Sequence, residues 1–412
     1  MKKVFNILAA AVFALGCLGT LSCSDEEFTD TIFDTKDYPL DRSAYTFPLD
    51  TFVKVNFQDK FNMRFLYKMQ DIGSDLQKNL VPCSYEKSVE LAVLAKYLWY
   101  DVYEKCAGTE FLKKYSPRII HVIGSPSYNP ASGTETLGYA EGGLKISLMN
   151  ANHMSIYDIE SLNEKFFKTM HHEFGHILHQ TKEYPQDFRL ISRSLYNPIS
   201  WQDTADSIAV SQGFVSDYAS SADREDWVEI IANYIVKDSI TWSQMLNTAY
   251  YDWERVSVPK KYWNKINGQV IQGLADRDSV GYIDMKNPDA SGGDDGQYNI
   301  QRKRIQRNAD DFAEVDSEGK IIFLKESGIY GNEIILKKVE MARQWLKERF
   351  DLDLDALRYE VQHRQWATNP DGSFIFDNRG NLINHLIYPT DDGRIFMDTL
   401  IDEVNKYKSL QQ

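Results

Sequence analysis

The sequence predicts an α+β fold, in which helices and a small sheet form one main body. Its 412 residues are 43% hydrophobic and 26% charged, with a mean hydropathy of −0.44, which is typical of a globular protein with a substantial core. Amphipathic helical patterns and short β-branched segments follow one another irregularly, which disfavours a barrel or a sandwich. No segment is seen to repeat along the sequence.

Acidic residues outnumber basic ones. The chain has 46 Lys and Arg against 60 Asp and Glu, which gives a formal net charge of −14. No segment is rich in lysine or arginine, so neither nucleic acid nor an anionic membrane surface is expected as the main partner. By itself the negative charge indicates no more than solubility.

The N-terminus has the pattern of an export signal. Two lysines follow Met1, and then comes an apolar stretch of roughly 15 residues, too short to span a membrane. The segment Thr20–Cys23 resembles a bacterial lipobox, in which the cysteine is lipidated and becomes the new N-terminus. Cys17 competes for this role, but the polar, acidic run directly after Cys23 favours the later cysteine. We therefore expect a signal peptide at residues 1–22 and a lipid anchor on Cys23.

Composition suggests how the rest of the chain is divided. Residues 23–50 are acidic and contain two prolines, which suits a tether. We expect the main domain at 51–270, an irregular insert at 271–330, and a C-terminal helix and hairpin region at 331–412 that packs on the main domain. No later run of 18 apolar residues exists, so the body is expected to be soluble and held at the membrane by its lipid alone.

Several segments have clear periodicities. Helices are predicted at 85–106 and 335–350 from apolar residues at helical spacing. Strands are predicted at 118–124 and 138–149, where β-branched or alternating apolar residues lie next to glycines. Residues 373–384 have the pattern of a hairpin.

A further helix is predicted at 161–180. Ser161 and Glu164 have the spacing of a capping box. An apolar face follows at helical spacing, made of Leu162, Phe166, Phe167, Met170, Phe174, Ile177 and Leu178.

This helix contains the motif His-Glu-x-x-His. His172 and His176 are four residues apart, which is about 6 Å along a helix and about 40° around it, so both imidazoles project from one face. Two imidazole nitrogens can therefore reach one zinc ion at about 2.0–2.1 Å, and Glu173 is placed to take a proton from water. With 8 histidines in the chain, a chance match is expected in roughly one such sequence per hundred.

A catalytic zinc ion normally has three protein ligands and a water molecule, so one ligand is still to be found. The metzincin pattern would need a glycine where His179 stands and a histidine where Lys182 stands, and it therefore fails. The remaining option is a glutamate on a later helix. Glu225 and Glu229 are four residues apart on a segment with helical character.

In this segment the sequence resembles the gluzincin metallopeptidases, and lethal-factor-like enzymes in particular. Tyr218 precedes Glu225 by seven residues, the spacing at which the family has a tyrosine that stabilises the oxyanion. Val228 replaces the usual alanine. The resemblance implies that Glu225 is the third zinc ligand and that Glu229 orients a ligand histidine, although the reverse order stays open.

A larger part of the chain, roughly residues 20 to 240, is similar to the substrate import-associated zinc metallohydrolase lipoproteins. Besides the lipobox, the similarity covers Gly124–Asn129, Leu137–Gly143, His171–Gln180, Gly213–Ala219 and Glu225–Glu229. It implies a zincin-like metallopeptidase domain, with a small twisted sheet and a mainly helical C-terminal part. It also implies a lipid-anchored hydrolase exposed at the outer-membrane surface, beside a TonB-dependent importer, but no known substrate. A peptide or glycopeptide is the substrate that we expect.

The sequence thus predicts a zinc metallopeptidase. Zn²⁺ would be held by His172, His176 and Glu225, with Glu173 as the general base and Tyr218 as the oxyanion donor. One alternative is a binding lipoprotein with structural zinc that presents substrate to an importer. Another is a zinc amidase that acts on a non-protein amide.

Other polar residues are open to more than one interpretation. His171 points away from the motif face, so we expect it to be exposed to solvent or to support a metal ligand from behind. His179 could touch the site. Glu141 either faces the substrate cleft or is an ordinary acidic residue of a turn. Cys83 and Cys106 are the cysteines left after processing at Cys23, and whether they form a disulfide stays open.

Overall fold

Helices make up most of the described protein, together with a four-stranded sheet, a five-stranded sheet and a two-stranded pair, which confirms the α+β class. The structure is a computed structural model that describes residues 40–69, 80–128, 135–136, 138–141, 144–260, 263–264, 269–270, 282–283, 296–309 and 313–411. The predicted signal peptide, Cys23 and the first part of the tether lie outside these residues. No helix in the described part is long and apolar enough to cross a membrane.

The folded unit begins before the predicted end of the tether. From Arg42 to Gln412 the chain forms one compact unit, whose first helix is α1 (Phe47–Val53). Leu49 and Phe52 lie three residues apart on one face of this helix and are fully buried in the main core. The boundary predicted at residue 50 therefore falls inside the folded unit.

The other helices of the first 250 residues are mostly short. They are α2 (Asp59–Phe61), α3 (Tyr85–Ala95), α4 (Asp101–Ala107), α5 (Thr109–Tyr115), α6 (Ile159–Leu162), α7 (Lys168–Thr181), α8 (Phe188–Ile191), α9 (Asp206–Ser211), α10 (Asp223–Val236) and α11 (Ser239–Tyr250). Single π-helical turns at Lys54–Gln58, Lys96–Tyr100 and Asn163–Phe167 join α1 to α2, α3 to α4 and α6 to α7. The helix predicted at 85–106 is confirmed. We call α7 the motif helix and α10 the glutamate helix.

The start of the predicted helix at 161–180 differs from the expectation. The helix begins at Ile159, and the carboxylate of Asp158 caps it by accepting a hydrogen bond of 2.9 Å from the Ser161 backbone N–H. Ser161 therefore lies inside the first turn, and the predicted capping box is wrong. Aspartate caps a helix as well as serine does, so the earlier of the two residues starts the helix.

The first sheet contains β1 (Arg64–Leu66), β2 (Ile119–Val122), β5 (Gly138–Glu141) and β6 (Lys145–Leu148), while β3 (Ser127–Tyr128) pairs with β4 (Glu135–Thr136) apart from it. Its strand order is β1-β2-β6-β5, with β1, β2 and β6 parallel and β5 antiparallel to β6. The strand predicted at 118–124 is confirmed as β2. The strand predicted at 138–149 is two strands, of which β5 is the edge.

A second, antiparallel sheet spans the boundary predicted at residue 270. It contains β7 (Trp253–Pro259), β8 (Trp263–Asn264), β9 (Gln269–Val270), β10 (Tyr282–Ile283) and β11 (Gln297–Lys303), in the order β7-β11-β10-β9-β8. The C-terminal helices are α12 (Gly331–Phe350), α13 (Leu354–Gln365) and α14 (Phe396–Asn405). Short 3₁₀ turns lie at Ala151–His153, Trp201–Asp203, Tyr218–Ser221, His385–Ile387 and Lys406–Leu410. The helix predicted at 335–350 is confirmed within α12.

Four turns in the C-terminal half share one hydrogen-bond pattern. No repeat was expected from the sequence, and at the level of single turns this expectation is wrong. In each, the first residue donates its N–H to the carbonyl four residues on, and a glycine three residues on donates back to the first carbonyl. The glycines have φ between 78° and 84°, which glycine adopts without a steric penalty. The turns begin at Asp316, Asn369, Asp377 and Thr390. The hairpin predicted at 373–384 is confirmed by the third turn and the bridge from Phe376 to Leu382.

Candidate metal centre

The motif helix places both histidines of the motif on one face. The His172 and His176 rings have centroids 4.8 Å apart, and His172 is 7% exposed. Met170 and Phe174 lie on other sides of the same helix and are fully buried in the main core, which fixes the rotation of the helix. The local part of the predicted site is therefore set by ordinary amphipathic packing.

The glutamate helix supplies a carboxylate to both imidazoles. Glu225 Oε2 lies 3.3 Å from His172 Nε2 and 3.1 Å from His176 Nε2. Each of these three residues offers one atom that could bind a metal ion, and these three atoms all lie within 4.8 Å of one another. Glu229, one turn further on, instead contacts His172 Nδ1 at 2.8 Å. The structure thus places Glu225 where the two imidazoles converge and Glu229 behind one of them.

Glu229 is held as a hydrogen-bond acceptor. Its Oε2 accepts hydrogen bonds from Ser216 Oγ at 2.6 Å and from Asn233 Nδ2 at 3.1 Å. Burial opposes ionisation of this carboxyl, but Lys168 and His172 hold its pKa well below the usual range. An ionised Glu229 can accept the Nδ1–H of His172, which directs the lone pair of Nε2 toward the position shared with Glu225.

The second histidine is oriented by another imidazole. His176 Nδ1 lies 2.9 Å from His179 Nε2. Burial, aided by the neighbouring His176, lowers the pKa of His179 to about 4, so this ring is neutral at pH 7 and can accept the Nδ1–H of His176. The edge of the His179 ring meets Tyr184, whose ring stacks on Trp227 of the glutamate helix. The expectation that His179 could touch the site is therefore confirmed.

The charges around the two histidines favour a cation. Burial alone would lower the pKa of His172, but the carboxylates of Glu225 and Glu229 raise it to about 10. Burial opposes ionisation of Glu225, but His172 and His176 hold its pKa well below the usual range. Two imidazole nitrogens and one carboxylate oxygen on one side are a donor set that zinc accepts, with a fourth position for water. The residues therefore fit a zinc ion.

Gly175, inside the motif, lets the two helices come close together. A Cβ atom at this position would lie 2.9 Å from Val228 Cγ1 and 3.1 Å from Val228 Cβ, closer than carbon atoms pack. The two helices therefore cross where Gly175 of the motif helix meets Val228 of the glutamate helix, three residues after Glu225.

A buried ion pair fixes the other side of the glutamate helix. Lys338 Nζ, on α12, lies 2.6 Å from Asp226 Oδ2, and both side chains are 0% exposed. Lys338 also donates to the Gly213 carbonyl at 2.8 Å, and the Tyr196 hydroxyl donates to Asp226 at 2.9 Å. The C-terminal region thus helps to position the residue next to Glu225.

Glu173 and Tyr218 face one large cavity beside His172. The cavity has a volume of about 1220 Å³ and is lined by all three residues. The ring centroids of Tyr218 and His172 are 5.8 Å apart, and the Tyr218 ring meets Trp201 edge-on at 4.9 Å. Burial and the Glu225 carboxylate raise the pKa of Tyr218 well above its ordinary value, so the phenol keeps its proton and can donate it in a hydrogen bond.

The remaining candidate residues lie elsewhere. The expected exposed or supporting role of His171 is wrong, because this side chain is 1% exposed and lies 2.9 Å from the Tyr103 hydroxyl in the core. The Glu141 backbone belongs to edge strand β5, and its side chain lies outside the described atoms. Cys83 and Cys106 are both free thiols.

Three polar residues of the site were not among the predicted ones. Asn233 continues the four-residue spacing of Glu225 and Glu229, and Lys168 precedes His172 by four residues, so both could have been found from helical spacing. Ser216 reaches the site from a loop, and only its position within the Gly213–Ala219 segment pointed to it.

Comparison with known proteins shows the family to which the chain belongs. The sequence model of a family described as "Putative zinc-binding metallo-peptidase" matches residues 43–355. Among solved structures, the chain is similar to a crystal structure of a putative zinc-binding metallo-peptidase from Bacteroides caccae, with 28% identity, a TM-score of 0.52, and coverage of 81% of this chain and 95% of that chain. A comparison with the curated proteins found no match. Because the family model matches more than half of the chain, the chain belongs to this family.

Proposed function

We propose that the protein is a zinc-dependent hydrolase of peptide bonds. One observation carries the proposal. The ligand atoms of His172, His176 and Glu225 converge on one position, and one of these residues, His172, lines the same cavity as the acidic residue of the motif, Glu173. A purely structural zinc site has no use for a carboxylate placed in this way.

Each residue has a distinct role in the proposed reaction. When bound, zinc would supply Lewis acidity, which polarises a carbonyl and makes water more acidic. Glu173 takes the proton of the attacking water and passes it to the leaving amine. The Tyr218 phenol donates a hydrogen bond to the oxygen on which negative charge develops. Glu229 and His179 hold the two imidazoles in the tautomer that binds metal.

The proposed location rests on the N-terminal sequence and the lipoprotein resemblance. Lipidation at Cys23 would attach the protein to the outer membrane, at the cell surface, beside a TonB-dependent importer. Peptides or glycopeptides would be cleaved there before uptake. The gluzincin assignment rests on the position of Glu225, on the helix that crosses the motif helix.

The decisive variant is Glu173→Gln, which keeps the shape of the side chain and removes its basicity. The zinc-loaded variant should keep its metal and lose roughly 100- to 10,000-fold in kcat on a peptide found by library screening, since positioned proton transfer contributes about that much. Glu318→Gln, at a residue whose side chain is 70% exposed and does not line the cavity, is the control and should match wild type. Wild-type turnover should stop with a chelator and return with zinc.

The outcomes separate the alternatives. Undiminished turnover in Glu173→Gln would overturn the role of this residue as general base. Chelator-sensitive binding of peptides without any turnover would identify a binding lipoprotein with structural zinc. Mass spectrometry of the products distinguishes cleaved peptide bonds from another hydrolysed amide.

A further inference from the structure

A second cavity adjoins the one beside His172. The adjoining cavity has a volume of about 410 Å³, and both cavities are lined by Glu164, Lys168, Asn233 and Lys237. These four residues therefore mark the junction of two adjoining cavities, which together we call the groove. Its combined volume is larger than that of a typical small-molecule pocket, so the groove can hold several residues of a polymer.

The glutamate helix forms one wall of this groove. Glu225, Glu229, Asn233 and Lys237 follow one another at intervals of four residues, and therefore along one slowly turning face. Lys237 directly follows the last helical residue and lies about 12 Å along the helix axis beyond Glu229. An extended peptide advances about 3.4 Å per residue, so it covers this distance in roughly four residues.

The charges at the junction differ in how they are paired. Lys168 Nζ is bound to Glu164 at 2.5 Å, and Glu229 accepts hydrogen bonds from Ser216 and Asn233. Of the two lysines that line both cavities, Lys237 is the one whose ammonium group has no hydrogen-bond or ion-pair partner among the described residues.

The acidic residue next to Lys237 is committed elsewhere. Asp238 caps α11 by accepting hydrogen bonds from the backbone N–H groups of Ile240 and Thr241, and from the Thr241 hydroxyl. Lys237 is half-buried in the groove wall. A half-buried ammonium beside a substrate groove is well placed to receive a carboxylate from the substrate.

We propose that Lys237 is a specificity-determining residue, which binds an acidic side chain of the peptide about three to five residues from the cleaved bond. This inference rests on the proposed peptidase function. It assigns to the junction of the two cavities a subsite for Asp or Glu, separate from the residues that would carry the reaction.

The test uses the zinc-loaded protein and a cleaved peptide in which Glu, Gln or Lys is scanned through each position on both sides of the bond. Wild type should prefer Glu over Gln at one position by roughly fivefold in kcat/KM, through KM rather than kcat, as a partly exposed ion pair allows. Lys237→Met should abolish this preference, and Lys237→Glu should shift it toward Lys. Lys320→Met, at a lysine that is 75% exposed and lines neither cavity, should leave the profile unchanged.

Each result bears on a different part of the reasoning. A Glu preference that persists in Lys237→Met, or the lack of any acidic preference in wild type, overturns the role of Lys237 and leaves the peptidase function intact. If wild type cleaves no peptide of the library, the proposed function fails and this inference falls with it.

Discussion

Gly175→Ala should weaken zinc binding strongly and change the stability of the fold only slightly. The added Cβ would lie 2.9 Å from Val228 Cγ1 and 3.1 Å from its Cβ, whereas carbon atoms pack at about 3.5–4.0 Å. Valine in a helix has one strongly preferred rotamer, so it cannot turn away. The motif helix and the glutamate helix must therefore move apart by about 0.5–1 Å.

This displacement is large for a metal site. Metal–ligand distances are held within about 0.2 Å, and the glutamate helix brings the Glu225 carboxylate to the two histidines of the other helix. We expect zinc affinity to fall roughly 10- to 100-fold, the range found when residues that orient metal ligands are lost. Alanine favours a helix over glycine by about 1 kcal/mol, which offsets part of the roughly 1–3 kcal/mol that overpacking costs, so the metal-free variant should melt within a few degrees of wild type.

Competition with a chromophoric chelator measures the zinc dissociation constant, and a thermal melt of the metal-free protein measures the fold. Val228→Ala removes Cγ1, the nearest atom that the new Cβ meets, and leaves the 3.1 Å approach to the Cβ of residue 228, so Gly175→Ala/Val228→Ala should regain part of the lost affinity. Val228→Ala alone, the matched control, should bind zinc like wild type. Wild-type affinity in Gly175→Ala, or a double variant as weak as the single one, would refute the reasoning.

Three further outcomes are expected. Lys338→Met leaves the buried Asp226 carboxylate without its lysine partner and should lower the free energy of unfolding in urea by about 3–5 kcal/mol. Asp226→Leu/Lys338→Met should recover much of this loss. A Lys338→Met variant as stable as wild type would contradict the prediction. Burial, followed by the charge of Glu360, raises the pKa of Cys106 to about 11. Its alkylation rate should therefore keep rising with pH up to that value, and a plateau near pH 9 would show an unshifted thiol. His179→Gln, which can still accept a hydrogen bond, should keep more zinc affinity than His179→Leu, which should lose roughly tenfold; equal affinities would exclude an orienting role.

The parts of the site that could be predicted depend on short-range geometry. His172 and His176 share a helical face because of their spacing, and the structure brings them together as expected. Glu225 is distant in sequence, and no helical spacing relates it to the histidines. It was found only because Tyr218 and Glu229 surround it in a pattern that resembles a known family.

Other features depend on tertiary contacts that the sequence pattern does not show. Lys338 lies among charged residues on an amphipathic helix, where a lysine is ordinarily solvated, yet it is fully buried against Asp226. The β7–β11 pairing joins two polar segments on either side of a predicted domain boundary, and neither alternates clearly enough to predict a strand. The N-cap was wrongly predicted at Ser161 because Asp158, three residues earlier, can also cap a helix.

The π-helical turn Asn163–Phe167 has a consequence for how this protein is aligned with its relatives. Such a turn accommodates one additional residue while the helix on either side keeps its register. A relative that is one residue shorter between Asp158 and His172 could therefore retain both the cap and the orientation of the histidines in an uninterrupted α-helix. A single-residue gap in this stretch is thus compatible with a preserved metal centre.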